Sequence, residues 1–174
     1  MVIRSQEQTA NGSASGRSAG SRAGARPRRA FIGLGSNLGD RRRHILDALR
    51  ELEQPGAVRV RRCSSLHETE PVGGPPGQPR FLNAVAELET TLSPRELLGR
   101  LLAIERRHGR LRTVTNGPRT LDLDLLWYEG EVVNQPDLVV PHPRMWQRPF
   151  VLKPLAELTD PQMLRTDGTE RVKP

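Results

Sequence analysis

The chain predicts an α+β fold: a ferredoxin-like βαββαβ core, in which an antiparallel sheet carries helices packed on one face. Three observations lead there. Short segments with an apolar residue at every second position recur along the chain, the spacing of half-buried strands. Two longer segments carry apolar residues three or four apart behind capping signals, the spacing of amphipathic helices. These segments follow one another as strand, helix, strand, strand, helix, strand, with no internal repeat. A length of 174 residues fits one domain and buries a core without disulfides or structural metal.

Residues 30–34 are an apolar strand. Gly35-Ser36-Asn37-Leu38-Gly39-Asp40 is a turn with helix-capping residues, and a helix over 40–53 sets Ile45, Leu49 and Leu52 on one face. Pro55-Gly56 stops it. Residues 57–68 alternate through Val58 and Val60 as a second strand. Four prolines and three glycines exclude regular structure from 69–80. A third strand over 81–89 puts Leu82, Ala84, Ala86 and Leu88 on one face, and Phe81 and Asn83 on the other. Ser93-Pro94-Arg95-Glu96 is a capping box with proline at the first helical position. The helix behind it buries Leu97, Leu98, Leu101, Leu102 and Ile104 and ends at Gly109. After a fourth strand, a Glu129-Gly130 turn leads to Val132-Val133, and Pro141-His142-Pro143 opens a polar segment. Residues 150–158 predict a short amphipathic helix, and 161–174 a polar, loosely held tail.

The fourth strand holds the most informative residues, Gly117-Pro118-Arg119-Thr120-Leu121-Asp122-Leu123-Asp124-Leu125-Leu126. Residues two apart on a strand share a face, with Cα atoms about 6.6 Å apart. Leu121, Leu123 and Leu125 then face a core, and Asp122 and Asp124 point the other way together. Two carboxylates on one rigid face repel unless a cation lies between them. Hard divalent ions prefer such oxygen ligands, and Mg²⁺ takes one or two carboxylates with water and substrate phosphates completing its shell. A bare Asp-x-Asp is more often a solvated strand face; the flanking Gly117-Pro118-Arg119 and the residues below reverse that.

The net charge of +7 is concentrated in residues 1–29, where six arginines face one acid, Glu7, leaving +2 for the remainder. That segment is rich in Ser, Gly, Ala and Arg and predicts a disordered extension. It resembles a transit peptide in composition but lacks an amphipathic period; a bacterial extension or an upstream start codon fits better. The nearly balanced remainder argues against a nucleic-acid-binding module. The single Cys63 forms no internal disulfide, which with the lack of a membrane-length apolar run predicts a cytoplasmic protein.

Nucleotide motifs fail on spacing. Leu38 stands where Gly-x-Gly-x-x-Gly requires a third glycine, and no Gly-x-x-x-x-Gly-Lys-Ser/Thr occurs. Phosphates would have to be held by arginines and metal. Arg110, Arg112, Arg119 and Arg148 are placed for it, because guanidinium binds phosphate bidentately and keeps its charge. His142, between prolines, is a candidate hydrogen-bond donor to a phosphate near the metal; His44, His67 and His108 lack such context. Aromatic residues are few, so Phe81 beside Asn83 reads as a stacking face with a donor–acceptor amide for a flat ligand.

Phe31-Ile32-Gly33-Leu34-Gly35-Ser36-Asn37-Leu38-Gly39, Thr69-Glu70-Pro71-Val72-Gly73, Phe81-Leu82-Asn83-Ala84, the aspartate segment from Gly117 to Asp124 and Val140-Pro141-His142 occur in that order. Over residues 30–160 the chain closely resembles the 6-hydroxymethyl-7,8-dihydropterin pyrophosphokinase family of folate biosynthesis. The resemblance implies an ATP-dependent diphosphotransferase that moves diphosphate from ATP to the pterin hydroxymethyl oxygen and releases AMP. It implies Asp122 and Asp124 as ligands of two Mg²⁺ ions, with Arg110 and Arg119 beside them in the catalytic set. Leu102, Glu105, Arg110, Arg112, Arg119, Leu125, His142 and Arg148 would meet ATP. Thr69, Glu70, Pro71, Val72, Phe81, Asn83, Asp122 and Phe150 would meet the pterin, Phe81 and Phe150 from its two faces. The implied partners are small molecules alone, with no nucleic acid or membrane, acting on a monomer. The chain departs from the family at Asn116, where an aromatic residue is common, in a short 112–116 loop with Thr115 in place of an arginine, and at His67 in place of a tyrosine. A two-metal phosphohydrolase or nucleotidyltransferase would share the Asp-x-Asp, but not the Phe81/Asn83 face behind a Pro/Gly loop.

Overall fold

The computed structural model describes residues 26–110 and 116–169. Its elements are β1 (Arg28–Ser36), α1 (Arg41–Leu52), β2 (Val58–Cys63), β3 (His67–Thr69), β4 (Phe81–Thr90), α2 (Pro94–Arg107), β5 (Asp122–Tyr128), β6 (Val133–Gln135), β7 (Leu138–Val140), a 3₁₀ turn (Met145–Gln147), α3 (Pro149–Ala156) and α4 (Pro161–Thr169). The main sheet runs β2-β4-β1-β5, with β3 continuing along β4, and every neighbouring pair is antiparallel. This is the predicted split-βαβ arrangement, with β1 and β4 at the centre.

Local chemistry sets the helices. The Asp40 carboxylate accepts from the Arg43 N–H at 3.0 Å, capping α1. At α2, the Ser93 N–H donates to Glu96 Oε2 at 2.7 Å and the Glu96 N–H to Ser93 Oγ at 3.3 Å, closing the capping box. Ile45, Ala48 and Leu52 of α1 and Leu97, Leu101 and Ile104 of α2 then pack on Ala30, Ile32, Leu34, Ala84, Ala86, Leu88, Leu121, Leu123 and Leu125 of the sheet. Each buried leucine contributes roughly 1.5–3 kcal/mol.

The opposite face is covered at one end only. Phe31, Val85, Leu126 and Trp127 pack there against Met145, Val151, Leu155, Leu158 and Leu164. Period two fails within β5 for a local reason. Ile32 pairs with Leu125 and Phe31 with Trp127, so Leu126 is an extra residue in the ladder. Leu126 and Trp127 consequently both serve the second cluster. At the other end this face is left open.

Some boundaries differ from expectation. β1 begins at Arg28, inside the proposed 1–29 extension, because Arg29 Nε donates to the mostly buried Glu87 at 2.5 Å; residues 1–25 lie outside the described residues. The strand expected over 57–68 is broken between β2 and β3. The 161–174 tail is helical as far as Thr169, and Leu164 anchors it in the second cluster. No helix among the described residues is long and apolar enough to cross a membrane.

Candidate active site

The open end of the second face is a cleft of about 810 Å³. Its floor is built by register. On β1, Gly35 lies opposite both Asn83 of β4 and Asp122 of β5, and Gly33 lies opposite Asp124. A Cβ at Gly35 would stand 3.0 Å from Asn83 Oδ1 and 3.7 Å from Asp122 Cβ. The two glycines therefore withhold side chains where the acids, the amide and Phe81 converge.

The cleft brings together Thr69, Glu70, Val72, Phe81, Asn83, Arg110, Arg119, Asp122, Asp124, His142, Arg148 and Phe150. Other expected residues lie elsewhere. The Leu125 side chain belongs to the helix-covered core, and Leu102 is half-buried on α2 away from the lining. Pro71 is not part of the lining. Glu105 is buried beneath it, where its carboxylate accepts from the Leu123 N–H at 2.7 Å and from Arg110 Nη1. Glu105 thus holds the strand between the two aspartates and aims Arg110. Arg112 lies outside the described residues, as does the 112–116 loop up to Asn116.

Charges are matched within the cleft. Arg110 Nη1 lies 2.5 Å and Arg119 Nη2 3.0 Å from the Asp122 carboxylate, and Arg148 Nη1 lies 3.6 Å from Asp124. Burial pushes the Asp122 carboxyl up, and the neighbouring Asp124 charge adds to this, while Arg119 and Arg110 pull it down. Burial also lowers the Arg148 and His142 pKa values, with Asp124 opposing the shift in both. The Arg144 N–H donates to His142 Nδ1 at 3.2 Å. With Nδ1 accepting, the neutral ring carries its proton on Nε2 as a donor.

Aromatic and amide groups line the cleft with these charges. The Arg119 guanidinium stands 5.1 Å from the Phe81 ring centre, and that of Arg148 5.5 Å from Phe150. Asn83 Nδ2 donates to Thr69 Oγ1 at 2.7 Å, which fixes the amide and leaves its carbonyl for other donors. Glu70 is tied to Arg80. His67 Nε2 and Ser65 Oγ both reach Glu157 Oε1, at 2.5 and 2.6 Å, fastening β3 to the end of α3. The Ser65 hydroxyl, then its backbone N–H and His67, bring the Glu157 carboxyl down to about 2.

Several residues with a part in the site were missed. Gly33 and Gly35 were legible as two glycines on one strand face. Asn37 was read only as part of a turn. Its Oδ1 accepts from the Arg119 N–H at 2.7 Å, its N–H donates to the Arg119 carbonyl at 3.0 Å, and its Nδ2 donates to the Pro79 carbonyl at 3.1 Å. It thereby fixes Arg119 against the Pro/Gly loop. Gln78 Nε2 extends that link to the Gly73 and Asn116 carbonyls, at 3.2 and 3.1 Å. Such long-range partners have no local sequence signature.

The model of the 7,8-dihydro-6-hydroxymethylpterin-pyrophosphokinase family matches residues 31–160. A Bacillus subtilis (strain 168) protein named 2-amino-4-hydroxy-6-hydroxymethyldihydropteridine pyrophosphokinase is 49% identical over 129 residues, covering 74% of this chain and 77% of that protein. A Pseudomonas aeruginosa protein of the same name is 45% identical over 140 residues, 80% of this chain and 85% of that protein. An Arabidopsis thaliana protein named folate synthesis bifunctional protein, mitochondrial, is 46% identical over 127 residues, 73% of this chain but 23% of its own length. The chain belongs to the 7,8-dihydro-6-hydroxymethylpterin-pyrophosphokinase family.

Proposed function

We propose that this chain is the pyrophosphokinase that transfers diphosphate from ATP to 6-hydroxymethyl-7,8-dihydropterin in folate biosynthesis. The observation that carries the reading is one cleft floor holding Asp122 and Asp124 beside Phe81 and Asn83. A phosphate-handling group and a flat-ligand group thus sit side by side on neighbouring strands.

The donor set fits Mg²⁺. Two carboxylates share one strand face, and arginines suited to phosphate surround them. This matches an ion that takes one or two carboxylates and completes its shell with water and phosphate. Asp122 and Asp124 would hold two such ions with ATP, and their charge would neutralise the phosphates and lower the pKa of the acceptor hydroxyl.

The chain's own groups do the remainder. Phe81 and Phe150 offer ring faces to the pterin, and Asn83, fixed by Thr69, reads its edge. Arg110, Arg119 and Arg148, which pair with the aspartates here, would bind phosphate oxygens with Mg²⁺ held by those aspartates. His142 donates from Nε2. The pterin hydroxymethyl oxygen forms a bond to the β-phosphorus of ATP as the bond from that phosphorus to the α,β-bridging oxygen breaks. The hydroxyl proton passes to solvent, and AMP departs with the bridging oxygen and its electron pair.

The substrates are the small molecules ATP and the pterin, and the enzyme is read as a monomer. The lone Cys63 supports a cytoplasmic setting. The test is AMP release from ATP with and without hydroxymethyldihydropterin. AMP formed only when the pterin is present supports the reading. Release of ADP or phosphate without the pterin would instead indicate a phosphohydrolase.

A further inference from the structure

Arg144 is the cleft arginine to which no role attaches, and it differs from its neighbours in one respect. Arg110, Arg119 and Arg148 are each matched by Asp122 or Asp124. Arg144 lines the same cleft, is exposed at its rim, and has no carboxylate partner among the described residues. Its backbone N–H is bonded to His142 Nδ1, which anchors the segment beside the cleft.

Its surroundings are cationic. Arg144 lies close enough to Arg148 and His142 to help lower the pKa of each. Asp124 opposes both shifts but is the carboxylate that Arg148 already pairs with, so a polyanion at the rim would meet Arg144 as an added cation. An exposed guanidinium at the mouth of a cleft also raises the local concentration of incoming anions.

We propose that Arg144 binds the phosphate chain of the nucleotide, meeting it at the rim before the inner arginines exchange carboxylate for phosphate. This rests on the pyrophosphokinase reading and adds a contact to it. The ligand class is a polyphosphate ester, and the contact is a charge-assisted hydrogen bond from guanidinium to phosphate oxygen.

The test is calorimetric titration of a non-hydrolysable ATP analogue with Mg²⁺ into the full chain and into Arg144→Ala and Arg144→Lys. The alanine variant is expected to bind the analogue roughly tenfold more weakly, and the lysine variant to fall between it and wild type. Wild-type affinity should fall more steeply with added KCl than that of the alanine variant. Pterin affinity without nucleotide, and the melting temperature, should be unchanged. Equal analogue affinity in wild type and alanine variant would overturn the assignment. So would matching losses toward the analogue and the pterin, which would make Arg144 structural. Failure of the wild type itself to bind the analogue would remove the wider reading along with it.

Discussion

The two faces of β5 do opposite work. On one, Leu123 and Leu125, with Leu121 just before the strand, lie beneath α1 and α2 in a closed core. On the other, Asp122 and Asp124 stand over Gly33 and Gly35, at the end of the sheet that α3 and α4 leave uncovered. The first face lowers the free energy of the fold. On the second, burial and the neighbouring Asp124 charge push the Asp122 carboxyl up, while Arg119 and Arg110 pull it down. One strand thus carries a packed core on one side and a set of opposed charges on the other, the kind of arrangement found at functional sites.

Substitutions on the two faces should therefore separate. The largest effect is expected from Asp122→Asn or Asp124→Asn, with turnover falling by roughly a hundredfold or more and the melting temperature unchanged or slightly raised. Steady-state AMP release and thermal denaturation measure both. On the other face, Leu123→Ala should destabilise the fold by about 2–5 kcal/mol, read from urea denaturation, while the remaining folded enzyme keeps its affinity for nucleotide. Equal stability losses from Asp124→Asn and Leu123→Ala would erase the distinction between the faces.

Within the cleft the effects become smaller and more selective. Phe81→Ala should weaken pterin binding by perhaps 1–3 kcal/mol, by analogy with base–aromatic stacking, and spare the nucleotide. Separate calorimetric titrations check this, and equal loss toward both ligands would place Phe81 in the core.

The smallest expected effect lies outside the cleft lining, where Glu157 fastens α3 to β3. Its carboxyl is lowered in the fold to about 2 from an ordinary value of 4.5. A lowered pKa contributes stability that is fully present above 4.5 and lost as pH falls through about 2. The melting-temperature difference between wild type and Glu157→Gln should hold at pH 7 and shrink across that acidic window. A difference that stays constant throughout would assign the effect to something other than the carboxylate charge.

Local signals account for what was legible beforehand. The alternation at 121–125 revealed both faces of β5, and the Asp40 and Ser93/Glu96 caps located both core helices. The unread features depend on partners distant in sequence. Leu126 becomes an extra residue only through the β1 register. The polar segment at 161–169 becomes a helix that docks through Leu164. Glu105 fell at a position assigned to the nucleotide, yet it serves Leu123 and Arg110. Val139 and its neighbours form a hairpin with β6 that three-residue strands are too short to announce.

The central claim is that the aspartate face of β5 takes Mg²⁺ together with a nucleotide polyphosphate. Thermal denaturation with Mg²⁺ and a non-hydrolysable ATP analogue, added separately and together, tests it most directly. Linkage predicts a rise of several degrees for wild type with both present, and a much smaller rise for Asp122→Asn and Asp124→Asn. An equal rise in wild type and both variants would contradict the claim.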